Sequence, residues 1–356
     1  MLNRCLKNMF IRSAVLLGAD TLFRLINRKK LLVVMYHGVT ATDYEPQIWT
    51  QLPLAAFRRQ LEFLCDRYVP VSLTEVVRAT RGETTLPERA VLVTLDDGLK
   101  NNYTVAFPVL QEMGVPAAIF LTVDYVGSGE ILWVDELYFL LKEAELRGIS
   151  LMPPSASAQD LLQRGQLQKS YEIAVETLKR SGAGRREAEM ARLRSLVRLD
   201  HRPLLDDFGM LNWDEVRIML RSGLVEFGVH TATHRILTEL AAEEWEREIL
   251  VPKQKLEAEL DREVAAFCFP NGRPLIDFGP EHLDYLRTSD YSCAFTTERG
   301  LHAWPDGDCM AIARIAGYEG TEGPAPFRLN TSGAIRFVKD CLGGVKAQLS
   351  IAGASS

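Results

Sequence analysis

The sequence has no apolar run long enough to cross a bilayer and no cysteine pair at metal-binding spacing. Near its start the longest uncharged apolar stretch is Ala14–Ala19, shorter than the roughly 7–15 residues of a secretion-signal core. A membrane-spanning helix needs ~20 such residues. The six cysteines are scattered without a CxxC motif, so they outline neither a zinc finger nor a disulfide framework. We therefore expect a cytoplasmic protein with reduced thiols.

The composition also lacks any excess of basic residues, internal repeats and low-complexity segments. The net charge of −6 gives no reason to expect nucleic-acid binding. With 356 residues, 47% of them hydrophobic and 25% charged, the chain has the composition of an ordinary globular protein. It is long enough to form one large domain or two modest ones.

The first 30 residues depart from this acidic average, because they hold seven basic residues and one acidic residue. Apolar residues recur between the charges at roughly helical spacing, which predicts a basic amphipathic helix. Such a helix either lies on an anionic membrane surface or packs against the domain in the ordinary way. Both interpretations remain open, and the first would make the protein peripheral to the inner membrane.

Short apolar runs alternate with helical stretches along most of the chain. Each run is nearly continuous, as in strands covered on both faces. Strand and helix alternation predicts a wound α/β fold, and polar residues at several strand ends favour a distorted, seven-stranded (β/α) barrel. The predicted strands are Leu31–Tyr36, Val91–Leu95, Pro116–Val123, Val225–Val229, Ala265–Phe269, Cys293–Thr297 and Met310–Ile315. The predicted helices are Leu54–Cys65, Asn101–Met113, Trp213–Arg221, Ala242–Leu260 and Pro280–Thr288.

The predicted organisation has three parts: the basic helix over residues 1–30, the barrel over 31–320, and a C-terminal helix and tail over 321–356. Between about 126 and 212 the strand rhythm gives way to helical segments joined by Pro153-Pro154, Gly165 and Gly182–Gly184. We expect a helical insertion there. It forms either a lid over the functional site or a side bundle without contact to the substrate.

Polar residues follow two of the predicted strands. Asp96 and Asp97 come directly after Val91–Leu95, and His230 and His234 follow Val225–Val229. Taken alone, Asp-Asp-Gly can be a simple turn, and an HxxxH pair is weak evidence for metal. Parallel strand ends converge at one end of a barrel, and carboxylate with neutral imidazole suits a borderline divalent cation. Together the two motifs predict a hydrolytic metal site.

These motifs resemble the signature of polysaccharide deacetylases with the NodB-homology fold, which are carbohydrate esterase family 4-like. The family's first motif usually reads T-F-D-D-G, and Thr94–Gly98 (TLDDG) departs from it at one position. Its second motif, H-[S/T]-x-x-H, is met in full by His230–His234. The stretches Met35–Val39 and Phe267–Gly272 resemble bacterial exopolysaccharide members. The likeness extends from about residue 31 to about residue 315.

The resemblance implies a role for each site residue. Asp97, His230 and His234 would hold a divalent metal, expected to be Zn²⁺, with Co²⁺ or Ni²⁺ as alternatives. Asp96 would act as general base towards water whose pKa the metal lowers. The backbone N–H of Asn271 would donate to the oxyanion. The implied activity is metal-dependent hydrolysis of N-acetyl groups on an amino-sugar-containing polysaccharide or glycan precursor.

The sequence departs from the family where the base is oriented and where the general acid is expected. An arginine commonly orients the base, and Cys268 stands at the corresponding position, so Arg273 or Arg314 is a candidate substitute. No late Leu-x-x-His motif supplies the acid, which leaves His37 and His302 as alternatives. We also regard His37 and Arg314 as candidate substrate-binding residues. The remaining histidines, His201 and His282, lie in polar stretches where we expect them to be solvated.

The substrate and even catalysis remain open at this level. Tyr36, Trp133 and Trp213 lie near strand ends, where they could stack on sugar rings, although such aromatics are more often core residues. Without a recognisable export signal, a cytoplasmic or lipid-linked glycan precursor is favoured over a mature cell-wall polymer. One alternative is a non-catalytic glycan-binding scaffold in an exopolysaccharide assembly system. Another is a deacylase of a non-sugar amide, because specificity resides in loops and in the insertion.

Overall fold

The centre of the computed structural model is a closed ring of seven parallel strands. The model describes residues 9, 11–42, 44, 45, 47–149, 156–317, 323–338, 340 and 341. In this part of the chain the strands are β1 (Leu32–Tyr36), β2 (Gly38–Thr40), β3 (Gln51–Pro53), β4 (Val69–Pro70), β5 (Ala90–Leu95), β6 (Ala117–Leu121), β7 (Val225–Val229), β8 (Ala266–Cys268), β9 (Cys293–Arg299) and β10 (Ile312–Ala316).

The ring runs β1-β10-β9-β8-β7-β6-β5 and closes because β5 also pairs with β1, from Leu32 opposite Val91 to Tyr36 opposite Leu95. The short β4 extends the sheet beside β5, and β2 pairs with β3 in a separate two-stranded sheet. All pairings within the ring are parallel. The predicted seven-stranded (β/α) barrel is therefore confirmed.

Helices surround the ring and connect its strands. The described helices are α1 (Ala19–Ile26), α2 (Leu54–Arg67), α3 (Leu73–Thr80), α4 (Phe107–Met113), α5 (Trp133–Arg147), α6 (Ala156–Gln163), α7 (Leu167–Lys179), α8 (Ala183–Leu196), α9 (Leu205–Phe208), α10 (Trp213–Arg221), α11 (Val251–Leu260), α12 (Pro280–Thr288) and α13 (Ala325–Ser332). Among the described residues, no helix combines the length and apolarity needed to span a membrane.

Burial on both faces explains the continuous apolar strand sequences. Every residue of β5 and of β6 is buried. Side chains such as Val33, Leu92 and Phe120 pack in a cluster with residues of β8, β9 and β10. Their sequence neighbours on the strands face the surrounding helices in a second, larger cluster. Because the strands are parallel, the residues that follow β1, β5, β7 and β8 emerge at the same end of the ring.

Between β6 and β7 lies a group of helices, α5 to α9, with an apolar cluster of its own. Tyr138, Leu140, Tyr171 and Met190 are fully buried in this cluster. Several members of α5 therefore face the other helices instead of the ring. The segment thus has its own hydrophobic core, which fixes the positions of the side chains that it directs towards the barrel.

The helix α5 contains a fully buried acidic residue, Asp135, whose Oδ1 accepts a 2.6 Å hydrogen bond from Thr50. Burial raises the pKa of Asp135 to about 7. The folded protein therefore retains a proton that the unfolded chain loses near pH 4. The free energy of unfolding should consequently fall as the pH rises from about 4 to 7, and stay level above that range.

We expect Asp135→Asn to abolish this dependence, because an amide keeps the Thr50 hydrogen bond and does not ionise. Relative to the wild type, the variant should gain about 3 kcal/mol of unfolding free energy between pH 5 and pH 8. Urea denaturation at both pH values measures the gain. The exposed Asp160 in α6 supplies the matched variant Asp160→Asn, which should track the wild type. Parallel profiles for Asp135→Asn and the wild type would show that Asp135 is ionised in the fold.

The helix α1 packs against the domain through its charged residues. Asp20 and Arg24 are buried, and Asp20 accepts hydrogen bonds from Arg328 of α13 at 2.8 and 3.0 Å. In contrast, Leu25 and Ile26 are 60% and 62% exposed. Ala19 and Phe23 also pack against an apolar cluster that includes Leu329 and Ala334. The helix therefore contacts the domain through both charged and apolar residues, and it leaves other apolar residues exposed. The predictions for residues 1–8 and for the tail after residue 341 lie outside the described residues.

Candidate metal centre

Three side chains from two strand ends converge on one point. His230 directly follows β7 and His234 lies four residues later. The Nε2 atoms of both are 3.3 Å from Oδ1 of Asp97, which lies just beyond β5. That oxygen is buried and accepts no hydrogen bond from the described residues. A tetrahedral zinc shell with bond lengths of about 2.0–2.1 Å places neighbouring ligands about 3.3 Å apart. The three atoms therefore fit a divalent metal, and the predicted triad is brought together.

The protonation states of these groups also suit a cation. The carbonyl oxygen of Cys268 lies 2.8 Å from Nδ1 of His230. Nδ1–H therefore donates, and Nε2 is the ring nitrogen that faces Asp97 and that would bind a cation after losing its proton. Burial would raise the pKa of Asp97, but its contacts with His230 and His234 outweigh burial and hold the pKa well below its usual range. Asp97 is consequently an anion at neutral pH.

The adjacent Asp96 is held by a buried arginine. Nη1 and Nη2 of Arg314 donate to Oδ1 and Oδ2 of Asp96 at 2.7 and 2.8 Å, and Nε donates to the carbonyl of Thr296 at 2.8 Å. Burial would raise the pKa of Asp96, but the charge and hydrogen bonds of Arg314 outweigh it and lower the pKa. Asp96 is thus ionised and fixed in orientation, as a general base must be.

This geometry decides between the roles considered for Arg314 and Arg273. Arg314 is fully buried and is not among the residues that line the cavity beside the triad. It therefore holds Asp96 in orientation. Its assignment as a substrate-binding residue stays a prediction, and its burial away from the cavity counts against it. Arg273 instead pairs with Asp277 at 2.8 Å. The pairing of β9 with β10 shifts in register between Ile312 and Arg314, and such irregularities redirect side chains.

Cys268 explains why the arginine can come from β10. Its Sγ lies 3.1 Å from Nη2 of Arg314 and 3.6 Å from Oδ1 of Asp96. A small thiol at the end of β8 leaves room for a long side chain from another strand. Asp96, His230 and Cys268 also lie close enough together to hold a metal. However, the guanidinium on Asp96 opposes a second cation there.

A cavity of about 160 Å³ lies over the triad. Predicted site residues that line it are Asp96, Asp97, His230, His234, His37 and Asn271. Trp133, Val134, Lys179 and Arg186 enter from α5, α7 and α8, so this helical group covers the site. The two cations and Trp49 were not identified from the sequence as site residues. No local motif marks them, because Lys179 and Arg186 reach the site through the packing of helices that are distant along the chain, and Trp49 lies in the turn before β3.

The backbone at the site adopts conformations that are rare for residues other than glycine. Asp97, His234 and Asn271 have φ angles of 75°, 59° and 58°. In the described residues, the N–H of Asn271 forms no hydrogen bond, and its carbonyl accepts one from Thr297. An unpaired N–H beside the cavity is available to a ligand oxygen. Each such backbone conformation costs roughly 1–3 kcal/mol, and strained residues of this kind are often found at functional sites.

The remaining candidates lie elsewhere. The backbone of His302 pairs with Leu31, away from the cavity over the triad, and His201 lies 3.0 Å from Glu136. The expectation that His282 is solvated is wrong. It is buried, its Nδ1 accepts a 2.9 Å hydrogen bond from the N–H of Gly279, and its Nε2 donates to the carbonyl of Leu237 at 3.2 Å. This ring caps the start of α12.

Two of the aromatic residues considered for stacking on sugar rings do not line the cavity. The hydroxyl of the buried Tyr36 lies 3.0 Å from Oε1 of Gln60, and Trp213 packs against the core.

The fold and the site together define a class of protein: a (β/α)₇ barrel with an Asp-His-His ligand set and a second, arginine-held aspartate at the carboxyl ends of its strands. The model of the family described as polysaccharide deacetylase matches residues 83–291, which include both motifs. The chain therefore belongs to the polysaccharide deacetylase family, as the motif resemblance implied.

Individual proteins resemble the chain over a segment of sequence or in fold. The poly-beta-1,6-N-acetyl-D-glucosamine N-deacetylase of Escherichia coli (strain K12) is 33% identical over 110 residues, which are 30% of this chain and 16% of that protein. The chain therefore matches less than a fifth of that relative's length. Among solved structures, IcaB from Ammonifex degensii superposes with a TM-score of 0.54 at 20% identity, over 86% of this chain and 97% of that one. The Streptococcus pyogenes deacetylase PplD, in complex with acetate, gives 0.56 at 17% identity, over 85% and 98%.

Proposed function

We propose that this protein is a metal-dependent deacetylase that hydrolyses N-acetyl groups of an amino-sugar-containing glycan. One observation carries the proposal: a buried Asp-His-His ligand set lies directly beside a carboxylate that Arg314 keeps ionised and oriented. A protein that only bound glycans would have no need for this second, arginine-held acid. Amide hydrolysis requires both a Lewis acid and a base, and the two motifs supply them side by side.

Each group has a task in this reaction. Asp97, His230 and His234 would hold a divalent ion, and that ion would supply Lewis acidity towards the acetamide carbonyl and towards water. Asp96 takes the proton of the attacking water, and the N–H of Asn271 donates to the developing oxyanion. His37, which also lines the cavity, donates a proton to the departing amine. Closure by α5, α7 and α8 excludes bulk water, which strengthens these interactions.

The choice of metal and substrate follows from the ligands and the relatives. Two imidazoles and a carboxylate suit Zn²⁺, with Co²⁺ and Ni²⁺ able to take its place. The Escherichia coli relative is named for poly-beta-1,6-N-acetyl-D-glucosamine, which supports an N-acetylglucosamine-containing glycan or glycan precursor as substrate. A non-sugar acetamide is the second candidate substrate. The residues that cover the cavity, and not the three metal ligands, would determine which acetamide binds, so the ligand set alone does not identify the substrate.

Acetate release tests the proposal. The purified protein, stripped of metal and reloaded with Zn²⁺, Co²⁺ or Ni²⁺, is incubated with N-acetylglucosamine oligosaccharides, N-acetylglucosamine 1-phosphate and non-sugar acetamides. We expect release from the sugars only when metal is present. Stoichiometric metal without release from any acetamide would favour the non-catalytic scaffold over the enzyme. Release from the non-sugar acetamides alone would identify a different amidase.

We further propose that the lipid-linked form of such a glycan is reached from a membrane surface, with α1 as the docking element. Leu17, in the turn just before α1, is 87% exposed, and Leu25 and Ile26 of α1 are 60% and 62% exposed. Lys29 and Lys30 follow them and are exposed as well. An apolar face flanked by cations complements the acyl boundary and anionic headgroups of a bilayer. The cytoplasmic location expected from the sequence would place this surface at the inner leaflet.

The docking prediction concerns a triple substitution, Leu17→Ser/Leu25→Ser/Ile26→Ser. It should weaken co-sedimentation with phosphatidylglycerol vesicles at least about 10-fold, because three apolar side chains no longer enter the bilayer. Binding should also weaken at high salt. Leu146, exposed by 72% on α5, supplies the control Leu146→Ser, which should bind as the wild type does. Membrane docking would be rejected if the triple variant sedimented with the vesicles as the wild type does. It would also be rejected if the variant lost self-association of the protein and not vesicle binding.

A further inference from the structure

The helical group over the site brings two cations to the cavity, and they differ in their partners. Arg186 of α8 pairs with Glu239 through two contacts of 3.3 Å and lies over the ring of Trp133. Lys179, the last residue of α7, lines the same cavity as Asp97 and His234. Within the described residues, Lys179 forms no ion pair.

The acidic side chains near Lys179 each pair with another residue. Glu176, one turn earlier in α7, pairs with Arg180 at 2.7 Å and with Arg273 at 3.8 Å. Asp277 accepts two further contacts from Arg273, at 2.8 and 3.0 Å. Asp97 is committed to the two imidazoles of the triad. The carboxylates around Lys179 therefore already have other partners. The ammonium of Lys179 adds a positive charge to the cavity that no carboxylate of the described residues neutralises.

The position of Lys179 is fixed. Its Nζ lies 5.6 Å from the centre of the Trp49 ring, and Nε1 of Trp49 donates a 3.0 Å hydrogen bond to the hydroxyl of the buried Tyr171. Burial, assisted by the charge of Arg273, lowers the pKa of Lys179. A largely desolvated ammonium without a carboxylate partner is costly. Such a group beside a reaction cavity indicates that a ligand supplies the missing anion.

We propose that Lys179 is a specificity-determining residue that binds an anionic substituent, a carboxylate or a phosphate, on the sugar whose acetamide is hydrolysed. This inference rests on the proposed deacetylase activity and narrows its substrate to acidic amino sugars. The aromatic rings of Trp49 and Trp133 border the cavity on the same side as the two cations. They give a pyranose ring a face to stack on while its acidic group reaches Nζ.

The test compares matched substrates in the metal-loaded protein. These are neutral N-acetylglucosamine oligosaccharides, N-acetylglucosamine 1-phosphate and an N-acetylhexosaminuronic acid disaccharide. We expect Lys179→Met to lower kcat/KM for the substrate with the correct anion by about 10- to 100-fold, the worth of a charge-assisted hydrogen bond. The neutral substrate should change less than about 3-fold. The two acidic substrates then distinguish phosphate from carboxylate recognition.

Two controls and one independent readout make the result decisive. Lys169→Met changes an exposed lysine of the same helix and should leave all substrates unaffected, whereas Lys179→Arg should retain the preference for the acidic substrate. Competitive inhibition by glucosamine 1-phosphate, compared with glucosamine, should weaken in Lys179→Met in the same proportion. Equal losses on neutral and acidic substrates, or no loss at all, would overturn the inference while leaving the deacetylase in place. Absence of acetate from every substrate would instead refute the proposed function.

Discussion

Replacing Asp96 by asparagine is expected to reduce acetate release by about 10³-fold, in the range of a lost general base, while bound metal stays stoichiometric. The amide cannot take a proton from water at neutral pH, although it fills the same space beside Arg314. Metal is retained because the three ligand atoms belong to Asp97, His230 and His234. Steady-state kinetics together with metal analysis of the same sample provide the measurement.

The control for this substitution must account for a buried charge. Asp96→Asn leaves the guanidinium of Arg314 uncompensated, and breaking a buried pair in this way costs about 3–5 kcal/mol. Asp96→Asn/Arg314→Met removes both charges and separates lost stability from lost chemistry. It should stay inactive even where its urea denaturation matches the wild type. Full activity in either variant would show that another group serves as base.

Replacing His230 by alanine should abolish stoichiometric metal and, with it, acetate release. We expect at least about 10²-fold weaker Zn²⁺ binding, more than the 10- to 100-fold cost of losing a group that only supports a ligand. Equilibrium dialysis with elemental analysis measures the affinity. Because the imidazoles must be unprotonated to bind, the metal content of the wild type should also fall as the pH is lowered.

His201→Ala provides the comparison for this experiment. His201 lies by Glu136 on the helical group, outside the cavity over the triad, so its loss should leave both metal and activity unchanged. Zinc that remained stoichiometric and tightly bound in His230→Ala would show that the metal lies elsewhere, and the assignment of the triad would fail. Metal lost from both histidine variants would indicate general unfolding.

Much of the barrel could be predicted because its strands are buried on both faces. The run predicted at Pro116–Val123 corresponds to β6, and that at Ala265–Phe269 to β8, each within one or two residues at either end. The two-residue β4 and the small sheet of β2 and β3 were not predicted, because they carry no periodic pattern. Asn101–Met113, predicted as one helix, begins as a π-helical turn at Asn102–Ala106 and becomes α-helical only at Phe107.

The convergence of Asp97, His230 and His234 could be predicted for a related reason: residues that follow parallel strands lie at the same end of the ring. The partner of Asp96 could not be decided, because Arg273 and Arg314 are equally basic in sequence. Only the register shift in β10 and the small side chain of Cys268 distinguish them. The histidine of α12, His282, was misjudged because a polar neighbourhood in sequence does not reveal that its ring caps the helix and is buried.

The apolar residues of α5 to α9 pack largely among themselves. They form a cluster separate from the apolar residues inside and around the ring of strands. The cavity over the triad consequently lies between two parts of the fold, and each part has its own apolar core. We therefore expect that a change of sequence in this helical group would alter which ligand the cavity admits, because Asp97, His230 and His234 belong to the strand ends of the ring.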